Sequence, residues 1–234
     1  MNTIAEQVYI AIRTNIMTLK IVPGTAMSEK EIGEKLSVSR TPVRESFIRL
    51  EKEGLVRILP QRGTYVSKIS IGRAKEERFL RESVEIAVLR EFMKKHTDES
   101  LLRLSGSIEK QKKALAEENW DSFMRYDDQF HDVFYQETNK LLCSELIKYN
   151  TADYYRLRCL SVLVSGGIAT LNLDQHAELL ECIRGGSEQA AAELLTKHLR
   201  KVFTELDEMQ EKYPEYFRDS GIPDREISIG NLVL

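Results

Sequence analysis

The stretch that decides the fold is SRTPVRESFIRLEKEGLV at Ser39–Val56. Thr41 suits a helix N-cap, and Pro42 suits the first helical position, where its missing N–H costs nothing. Apolar residues follow at helical spacing, at Val43, Phe47 and Leu50. Gly54 is placed to end the helix. The stretch therefore predicts a short helix that begins abruptly, buries one face and carries arginines near its amino end.

The neighbouring sequence completes a winged helix-turn-helix. A capping pattern at Thr3–Glu6 opens a first amphipathic helix, and a second pattern at Ser28–Glu31 opens a short helix. The apolar runs Leu55–Leu59 and Thr64–Val66 are joined by the turn residues Pro-Gln-Arg-Gly at 60–63. We predict that these runs form a β-hairpin wing with a basic tip.

Arginines at the start of such a helix point to DNA. Arg40 and Arg44 lie where a recognition helix meets base edges, and arginine suits bidentate contact to guanine. A lone arginine is more often a solvated surface charge, but here the cap, proline, arginines, glycine and basic hairpin occur in order. We expect Arg40 and Arg44 to read bases. The remaining predicted DNA-binding residues are Ser39, Arg49 and Gly63, together with Thr41, Lys30 and Arg62 on the phosphate backbone.

Charge divides the 234-residue chain into two parts. Residues 1–70 carry 11 Lys and Arg against seven Glu, a net charge of +4, whereas the whole chain is −3. A basic N-terminal part favours contact with nucleic acid even though the chain as a whole is acidic. The predicted divisions are a DNA-binding domain at 1–68, a linker at 69–74, a helical effector, metal-binding and dimerisation domain at 75–212 and a tail at 213–234.

Membrane and secretion signals are missing from the sequence. No apolar run approaches the roughly 20 residues that a membrane span needs, and no basic-then-apolar leader begins the chain. The three cysteines, Cys143, Cys159 and Cys182, show no C-x-x-C pairing and are most simply reduced core residues. We therefore expect a cytoplasmic protein without a membrane partner.

Helical periodicity continues almost unbroken from about Ser70. The predicted helices occupy 74–95, 97–118, 121–138, 139–164, 174–184 and 187–212. Their short connections predict an antiparallel bundle. The expected fold class is mainly α: a winged helix-turn-helix with a small β-hairpin wing, followed by an all-α helical bundle.

Four residues on inward helix faces form a candidate metal site. Asp127 and His131 are spaced i, i+4 on one face, and His176 and His198 each share a face with leucines. A single such histidine is usually a hydrogen-bonded core residue, but three imidazoles and a carboxylate are all satisfied by one shared divalent cation. This ligand set suits zinc, nickel, iron or manganese. His96, at a helix end, is expected to be exposed and without a role.

These residues carry a resemblance to a known family. Ser39–Val56, together with Arg62-Gly63 later in the sequence, resembles the DNA-binding domain of the GntR family of bacterial transcriptional regulators. Arg81–Glu85 resembles the opening helix of the FadR-type C-terminal ligand-binding (FCD) domain. The motif DDQFH at Asp127–His131, with the two later histidines, is similar to the metal motif of that domain.

The resemblance covers about residues 3–212, with modest departures. Ser46-Phe47 replaces the usual small residue and leucine, which should alter packing and not DNA contact. Val88–Glu91 replaces an alanine-rich continuation, which affects the expected shape of an effector pocket more than the fold.

The resemblance implies a dimeric regulator, for which we expect repression, that binds a palindromic operator. Members of this type place a small carboxylate effector over the metal in the bundle, and inward arginines would complete the anion site. Arg81 is one candidate, although a salt bridge to Glu85 at i+4 is an equally good interpretation. Arg156 is another, because it shares a helical face with Tyr149. A solvated surface charge is the alternative for both.

Three other hypotheses fit the same residues. In the first hypothesis, the chain is a metalloenzyme with an appended DNA-binding domain, although no clear general base or nucleophile accompanies the cluster. In the second, the cation itself is the signal, and carboxylate and imidazole ligands would discriminate poorly among metals. In the third, the histidines are structural and the bundle serves only dimerisation.

Overall fold

The computed structural model describes residues 3–218, which form a winged helix followed by a helical bundle. The winged helix contains α1 (Ile4–Met17), β1 (Ala26–Met27), α2 (Glu29–Leu36), α3 (Arg40–Lys52), β2 (Val56–Leu59) and β3 (Gly63–Val66). The strands form an antiparallel sheet in the order β1-β3-β2. The predicted hairpin wing is confirmed, and the two-residue β1 is an addition too short to show a strand pattern.

The recognition helix α3 begins two residues earlier than the sequence predicts. Ser39 is its N-cap, with an extended backbone at φ −69° and ψ 167° typical of that position, so Thr41 and Pro42 lie within the first turn. Proline is tolerated there because the first four N–H groups of a helix have no intrahelical acceptor. Arg40 is consequently the first helical residue, and Arg44 follows it by one turn.

Two glycines shape the helix-turn-helix. At Gly33 in α2, a Cβ atom would lie 2.9 Å from the carbonyl oxygen of Val38 in the turn, so a larger residue requires the turn to move. Gly54 has φ +77° and closes α3, while the Leu55 amide donates to the Leu50 carbonyl at 2.9 Å. Glycine favours this left-handed geometry, and the predicted helix end is confirmed.

The winged helix has an apolar core between α1, α3 and the sheet. Its buried members include Ile12, Ile16, Val43, Phe47, Leu50 and Val66. Each such side chain contributes roughly 1.5–3 kcal/mol when it is removed from water. Ala152 of the bundle packs into the same cluster, so the two parts of the chain share an apolar contact.

The bundle has eight α-helices among the described residues, where the sequence predicts six. They are α4 (Ile71–Lys95), α5 (Asp98–Ala116), α6 (Trp120–Glu137), α7 (Leu141–Asn150), α8 (Ala152–Val164), α9 (Gly166–Arg184), α10 (Glu188–Arg200) and α11 (Leu206–Lys212). The mainly α fold class is confirmed. Helix α6 is capped by Asn119, whose side chain accepts the Ser122 amide at 3.0 Å, and not by Asp121 as the predicted start implies.

The additional helices come from breaks that the sequence analysis missed. The predicted helix 139–164 is interrupted at Thr151, whose hydroxyl donates to a carbonyl of the preceding turn at 2.8 Å. The predicted helix 187–212 is interrupted by a 3₁₀ segment at Lys201–Glu205. Helix α9 starts at Gly166, eight residues before the predicted 174. Residues at the two breaks have ordinary helix propensity, so tertiary packing decides these boundaries.

Cationic side chains and backbone carbonyls join the winged helix to the bundle. Arg156 of α8 is fully buried and donates through Nη1 to the Ser67 carbonyl at 2.6 Å. Arg73 of α4 donates to the Glu53 carbonyl at 3.4 Å. Hydrogen bonds from charged donors are stronger than neutral ones, so these two contacts help to fix the winged helix on the bundle.

The segment after α11 returns to the linker. The Ile69 amide donates to the Tyr216 carbonyl at 2.8 Å, and the Arg218 amide donates to the Ile69 carbonyl at 3.0 Å. The first residues of the predicted tail 213–234 therefore pack on the linker. Residues 219–234 lie outside the described residues.

A buried carboxylate at the joint should make stability depend on pH. Glu77 is 5% exposed, and burial together with the neighbouring charge of Asp153 raises its pKa to about 7 from a usual 4.5. Its carboxylate also accepts from Arg73 at 2.7 Å. The folded state therefore holds the Glu77 proton more tightly than the unfolded chain. The stabilisation that comes from holding this proton is complete below pH 4.5 and is lost as the pH rises to about 7.

We expect the Glu77→Gln variant to lack this dependence. From about pH 5 to 8, the wild-type free energy of unfolding should fall relative to the variant by up to about 3 kcal/mol. Urea denaturation at a series of pH values measures the difference. The exposed neighbour Glu76, replaced by Gln, is the control and should follow the wild type. Parallel curves for wild type and Glu77→Gln would contradict this assignment.

The three cysteines are free thiols, as predicted. Cys159 is buried in the bundle, and Cys143 and Cys182 are half-buried. Among residues 3–218, no single helix has the length and apolar composition needed to cross a membrane. The helices Ala152–Val164 and Gly167–Arg184 together have that length and apolar composition, but the chain bends sharply between them.

Candidate metal and effector site

Four side chains from three helices converge in the bundle. Asp127 and His131 lie on α6, His176 on α9 and His198 on α10. One donor atom of each lies within 4.8 Å of all the others, and all four residues are buried. Donor atoms about 2.0–2.2 Å from one ion can be at most about 4.4 Å apart, so a slight contraction suffices. The structure thus brings together all the predicted metal ligands.

Hydrogen bonds on the outer side of the rings orient the histidines. Each Nδ1 faces an oxygen acceptor outside the cluster: Glu85 for His131, Gln111 for His176 at 2.9 Å and Gln175 for His198 at 3.1 Å. Because a carboxylate and an amide oxygen accept hydrogen bonds, each neutral ring carries its proton on Nδ1. Each Nε2 then presents a lone pair to the centre of the cluster.

The inward nitrogens of the three rings lie close together. The Nε2 atoms of His176 and His198 lie 3.3 Å apart, and Nε2 of His131 is buried without a hydrogen-bond partner among residues 3–218. Burial lowers the pKa of His176 to about 3 and that of His198 well below its usual value. Because burial disfavours protonation of His176 and His198, their inward lone pairs repel each other unless a cation lies between them.

Asp127 supplies the anionic member of the cluster. Burial raises its pKa, but the positive charge of its neighbours, chiefly the guanidinium of Arg158, outweighs burial, and the pKa is lowered to about 2. Arg158 of α8 forms an ion pair with Asp127 and reaches Asp128 at 3.2 Å. One carboxylate and three imidazoles, each ring held by an outer acceptor, form a donor set that fits zinc, nickel, iron or manganese.

A cavity of about 230 Å³ adjoins the cluster. At about 30 Å³ per water molecule, this is the volume of roughly seven or eight waters, which suits a compact ligand and not a long acyl chain. His131, Glu85 and Arg158 line the cavity beside the cluster. Tyr135 also lines it, and its buried hydroxyl has no hydrogen-bond partner in the described part of the chain. A polar ligand atom would satisfy this hydroxyl.

The two arginines predicted to bind an effector lie in different places. Arg81 is buried, lines the cavity and donates through Nε to Glu85 at 2.9 Å. It therefore forms the i, i+4 ion pair and also faces the cavity, as both interpretations of this residue expect. Arg156 is not among the residues that line the cavity, because it donates to Ser67 and Asp153 at the joint.

Arg158 takes the position that sequence analysis gave to Arg156. The two residues are about 200° apart around one helix. The sequence favours Arg156 because it would share a face with Tyr149 on a continuous helix, and the break at Thr151 separates those residues. Without a signal for that break, the sequence had no means of selecting Arg158.

His96 lies outside the cluster. It is half-buried and not exposed as predicted, because its ring stacks on Phe92 with 5.8 Å between centroids. Its Nδ1 lies 3.1 Å from the carbonyl of Met93. These contacts account for His96 as a structural residue of the end of α4.

The amino end of α3 presents the predicted base-reading arginines. Arg40 is exposed, as are its neighbours Ser39 and Thr41. Arg44 is exposed and donates two hydrogen bonds to Glu29 of α2, at 2.8 and 3.2 Å. Exposed ion pairs contribute only about 0–1 kcal/mol, so DNA can compete for Arg44 at small cost.

The other predicted DNA-binding cations differ in their surroundings. Lys30 is exposed, with its ammonium 3.9 Å from Glu34. Arg62 and Gly63 are exposed at the tip of the wing. Arg49 instead faces α1, where it donates to a glutamate at 2.7 Å and its guanidinium carbon lies 3.5 Å from the centroid of the Tyr9 ring. These contacts give Arg49 a role in packing α3 on α1.

Comparison with known proteins agrees with both parts of this architecture. The family model of bacterial regulatory proteins of the gntR family matches residues 4–66, and the FCD domain model matches residues 78–201. The chain belongs to the GntR family. This GntR protein is a DNA-binding transcriptional regulator with a C-terminal FCD domain, and both domain families consist of regulators and not enzymes.

The GntR chain is similar to several characterised or solved proteins. It is 31% identical over 214 residues to the HTH-type transcriptional repressor RspR of Escherichia coli K12, covering 92% of this chain and 93% of that protein. In structure it is similar to E. coli McbR/YncC, with a TM-score of 0.76 at 17% identity, covering 91% of this chain and 100% of that chain. A GntR regulator from Rhodococcus sp. RHA1 gives a TM-score of 0.73 at 23% identity, and the match covers 87% of this chain and 97% of that chain. These likenesses to solved structures support the fold.

The outer acceptors of this GntR protein should control its affinity for metal. Replacing Gln111 with leucine removes the acceptor of the His176 Nδ1–H bond and frees the ring to rotate. We expect metal affinity to fall about 10–100-fold, measured by competition with a chromophoric chelator. Gln136→Leu, which removes an exposed glutamine that bonds Arg103 and none of the three histidines, should leave affinity unchanged. Equal affinities of Gln111→Leu and wild type would contradict the orienting role.

Proposed function

We propose that this regulator is a repressor whose affinity for its operator is controlled by a small organic acid bound over one divalent metal ion. The observation that carries the proposal is the convergence of three Nε2 lone pairs and one carboxylate beside a small cavity with cationic walls. Repression is also supported by the similarity to RspR, which is a transcriptional repressor.

Asp127, His131, His176 and His198 hold the metal in this proposal. Zinc, nickel, manganese and iron all accept such a donor set. A bound divalent ion supplies a Lewis acid with open coordination positions for a carboxylate oxygen. Because the four ligands come from α6, α9 and α10, metal binding ties together three helices that could otherwise shift against one another.

Arg81 and Arg158 bind the effector's carboxylate next to the metal. Both line the cavity, and both are already paired with carboxylates, Arg81 with Glu85 and Arg158 with Asp127. An anionic ligand adds a further acceptor for guanidinium N–H groups that these pairs leave free. Arg156 is left out of this set because it serves the joint.

The DNA contacts follow the exposed cations of the winged helix. Arg40 and Arg44 read base edges, while Ser39, Thr41, Lys30, Arg62 and Gly63 lie against the phosphate backbone. Arg49 supports the recognition helix through α1. Since the partner is chromosomal DNA, the proposed location is the bacterial cytoplasm.

A two-fold dimer on a palindromic operator completes the proposal. One recognition helix per chain reads one half-site, and symmetry supplies the second. Most of the large exposed apolar side chains in residues 3–218 belong to the bundle: Phe79, Leu80, Leu102, Leu141, Leu142, Leu146, Tyr149, Leu163 and Leu171. The bundle is therefore the proposed dimer contact.

Removing the DNA-binding part should leave this dimer intact. We expect a variant lacking residues 1–70 to sediment as a dimer at micromolar concentration, with the full chain as the reference. A monomeric bundle beside a dimeric full chain would place the interface in the winged helix instead.

The test of the proposed function combines metal, acid and DNA. An operator is first selected from random duplexes with the full-length, zinc-loaded protein, and binding is then measured by fluorescence anisotropy. Small carboxylic acids should release the operator from the zinc-loaded protein and have no effect after chelation. In vitro transcription from a promoter that overlaps the operator should fall when the protein is added.

Other results would identify the rival hypotheses. If zinc alone changes operator affinity and no acid does, the metal is the signal. If purified protein retains no stoichiometric metal, the histidines are structural. Either result would overturn control by an acid bound over metal.

A further inference from the structure

Building on the proposed function, we propose that the effector is a dicarboxylic acid that bridges the two parts of the chain. One carboxylate lies over the metal, and the other is bound by Arg13 of α1. A residue of the DNA-binding part is thereby a ligand-binding residue. The inference starts from the wall of the cavity, which contains side chains of both the bundle and the winged helix.

Helix α1 contributes one continuous strip of its surface to the cavity. Arg13, Thr14, Met17 and Thr18 line it, and they recur at the i, i+4 spacing of one helix face. The other face of α1 packs on the recognition helix through Ile12 and Ile16, which share a core cluster with Phe47. A molecule in the cavity therefore touches the helix that supports the recognition helix.

Arg13 connects the cavity to the end of the recognition helix. Its Nε donates to Glu53 Oε2 at 2.9 Å, and its Nη2 donates to the Lys148 carbonyl at 3.1 Å. Glu53 is the buried C-cap residue of α3 and also accepts from the Tyr9 hydroxyl at 2.5 Å. A guanidinium has five N–H donors in a planar fork, so Arg13 can hold Glu53 and a ligand carboxylate together.

The charges around the cavity favour a dianion. Four cationic side chains line it, namely Arg13, Arg81, Lys148 and Arg158, against three carboxylates, namely Glu85, Asp128 and Asp132. Asp127 adds one negative charge and a divalent ion adds two positive charges. Lys148 is paired with Asp132 at 2.6 Å and Arg13 with Glu53 at 2.9 Å, so a second ligand carboxylate there accepts from the N–H groups that these pairs leave free.

The bridging acid couples its own binding to the position of α1. With the acid bound, α1 is attached through Arg13 to a ligand fixed on the bundle. Without it, Arg13 is attached to the bundle through its hydrogen bond to the Lys148 carbonyl. An acid that prefers one placement of the winged helix changes the placement of α3, because only differential affinity for the two arrangements shifts their equilibrium.

Matched pairs of acids test the far carboxylate. Malate is compared with 2-hydroxybutyrate, and 2-hydroxyglutarate with 2-hydroxyvalerate, so that each pair differs in having a carboxylate or a methyl group at the far end. Titration calorimetry on full-length, zinc-loaded protein should give a Kd at least roughly tenfold lower for the diacid of the better-fitting pair. In Arg13→Gln this preference should vanish, while affinity for the monoacids stays near the wild-type value.

Three further variants keep the test independent of folding. Thr14→Glu places a negative charge on the cavity side of α1 without removing the Arg13–Glu53 pair, and should weaken the diacids selectively, whereas Thr14→Gln should not. Lys35→Gln, which removes an exposed cation of the same part that does not line the cavity, should leave all acid affinities unchanged.

The outcomes separate this inference from the proposed function. Binding of acids without any preference for diacids, or a preference that survives in both Arg13→Gln and Thr14→Glu, overturns the bridging ligand and leaves metal-anchored binding intact. Failure of every acid to bind the zinc-loaded protein overturns both.

Discussion

Double replacement of His176 and His198 by alanine should abolish metal retention and the response to organic acids. Two of four ligands are lost, and the remaining pair on α6 cannot tie α9 and α10 to it. Gln111 and Gln175 lose their ring partners, and each unsatisfied buried amide costs about 1–3 kcal/mol, so the variant should also be less stable. Metal content after dialysis and calorimetry with the acid pairs measure the two losses, and some DNA binding should remain.

His96→Ala is the matched control for this experiment. It removes the one histidine that lies outside the cluster, so metal content and acid binding should equal those of the wild type. Acid binding of wild-type strength in the His176/His198 double variant would exclude the metal-anchored mechanism, even with the DNA-binding assignment intact.

Replacing Arg40 or Arg44 by alanine should reduce operator affinity by about 1–3 kcal/mol and relax sequence preference. Both residues lie in the first turns of α3, where side chains reach base edges. The loss should be smaller for Arg44, because this side chain gives up its two hydrogen bonds to Glu29 on binding DNA. Anisotropy with operator and scrambled duplexes measures both affinity and preference.

Lys30→Ala separates base reading from backbone contact. A lysine on the phosphate backbone should weaken operator and scrambled DNA alike and lower the salt slope by about 1. If Arg40→Ala and Arg44→Ala both kept the operator preference, the proposed orientation of α3 on DNA would be incorrect.

The features predicted well from sequence are those whose signal lies within one element. The recognition helix has its proline, apolar spacing and closing Gly54 within one short stretch. Asp127 and His131 share one helix face by spacing alone. The bundle's fold class follows from helical periodicity, which needs no knowledge of how the helices pack.

The features that were missed depend on contacts between distant segments. Nothing local distinguishes Gln111 from any other glutamine on an amphipathic helix, and its role appears only when α5 packs beside His176. Arg158 faces the cluster because of how α8 packs after the break at Thr151. Arg13 reaches the cavity only because the winged helix is seated on the bundle, a placement that periodicity does not encode.

The joint between the winged helix and the bundle has an asymmetric tolerance to mutation. Arg156 and Arg73 donate to the backbone carbonyls of Ser67 and Glu53, and every residue type carries such a carbonyl. Substitution of the buried Ser67 by another small residue therefore keeps that bond, whereas replacement of either arginine removes it. A library randomised at these positions and screened for folded protein should accept several small residues at 67 and few at 156.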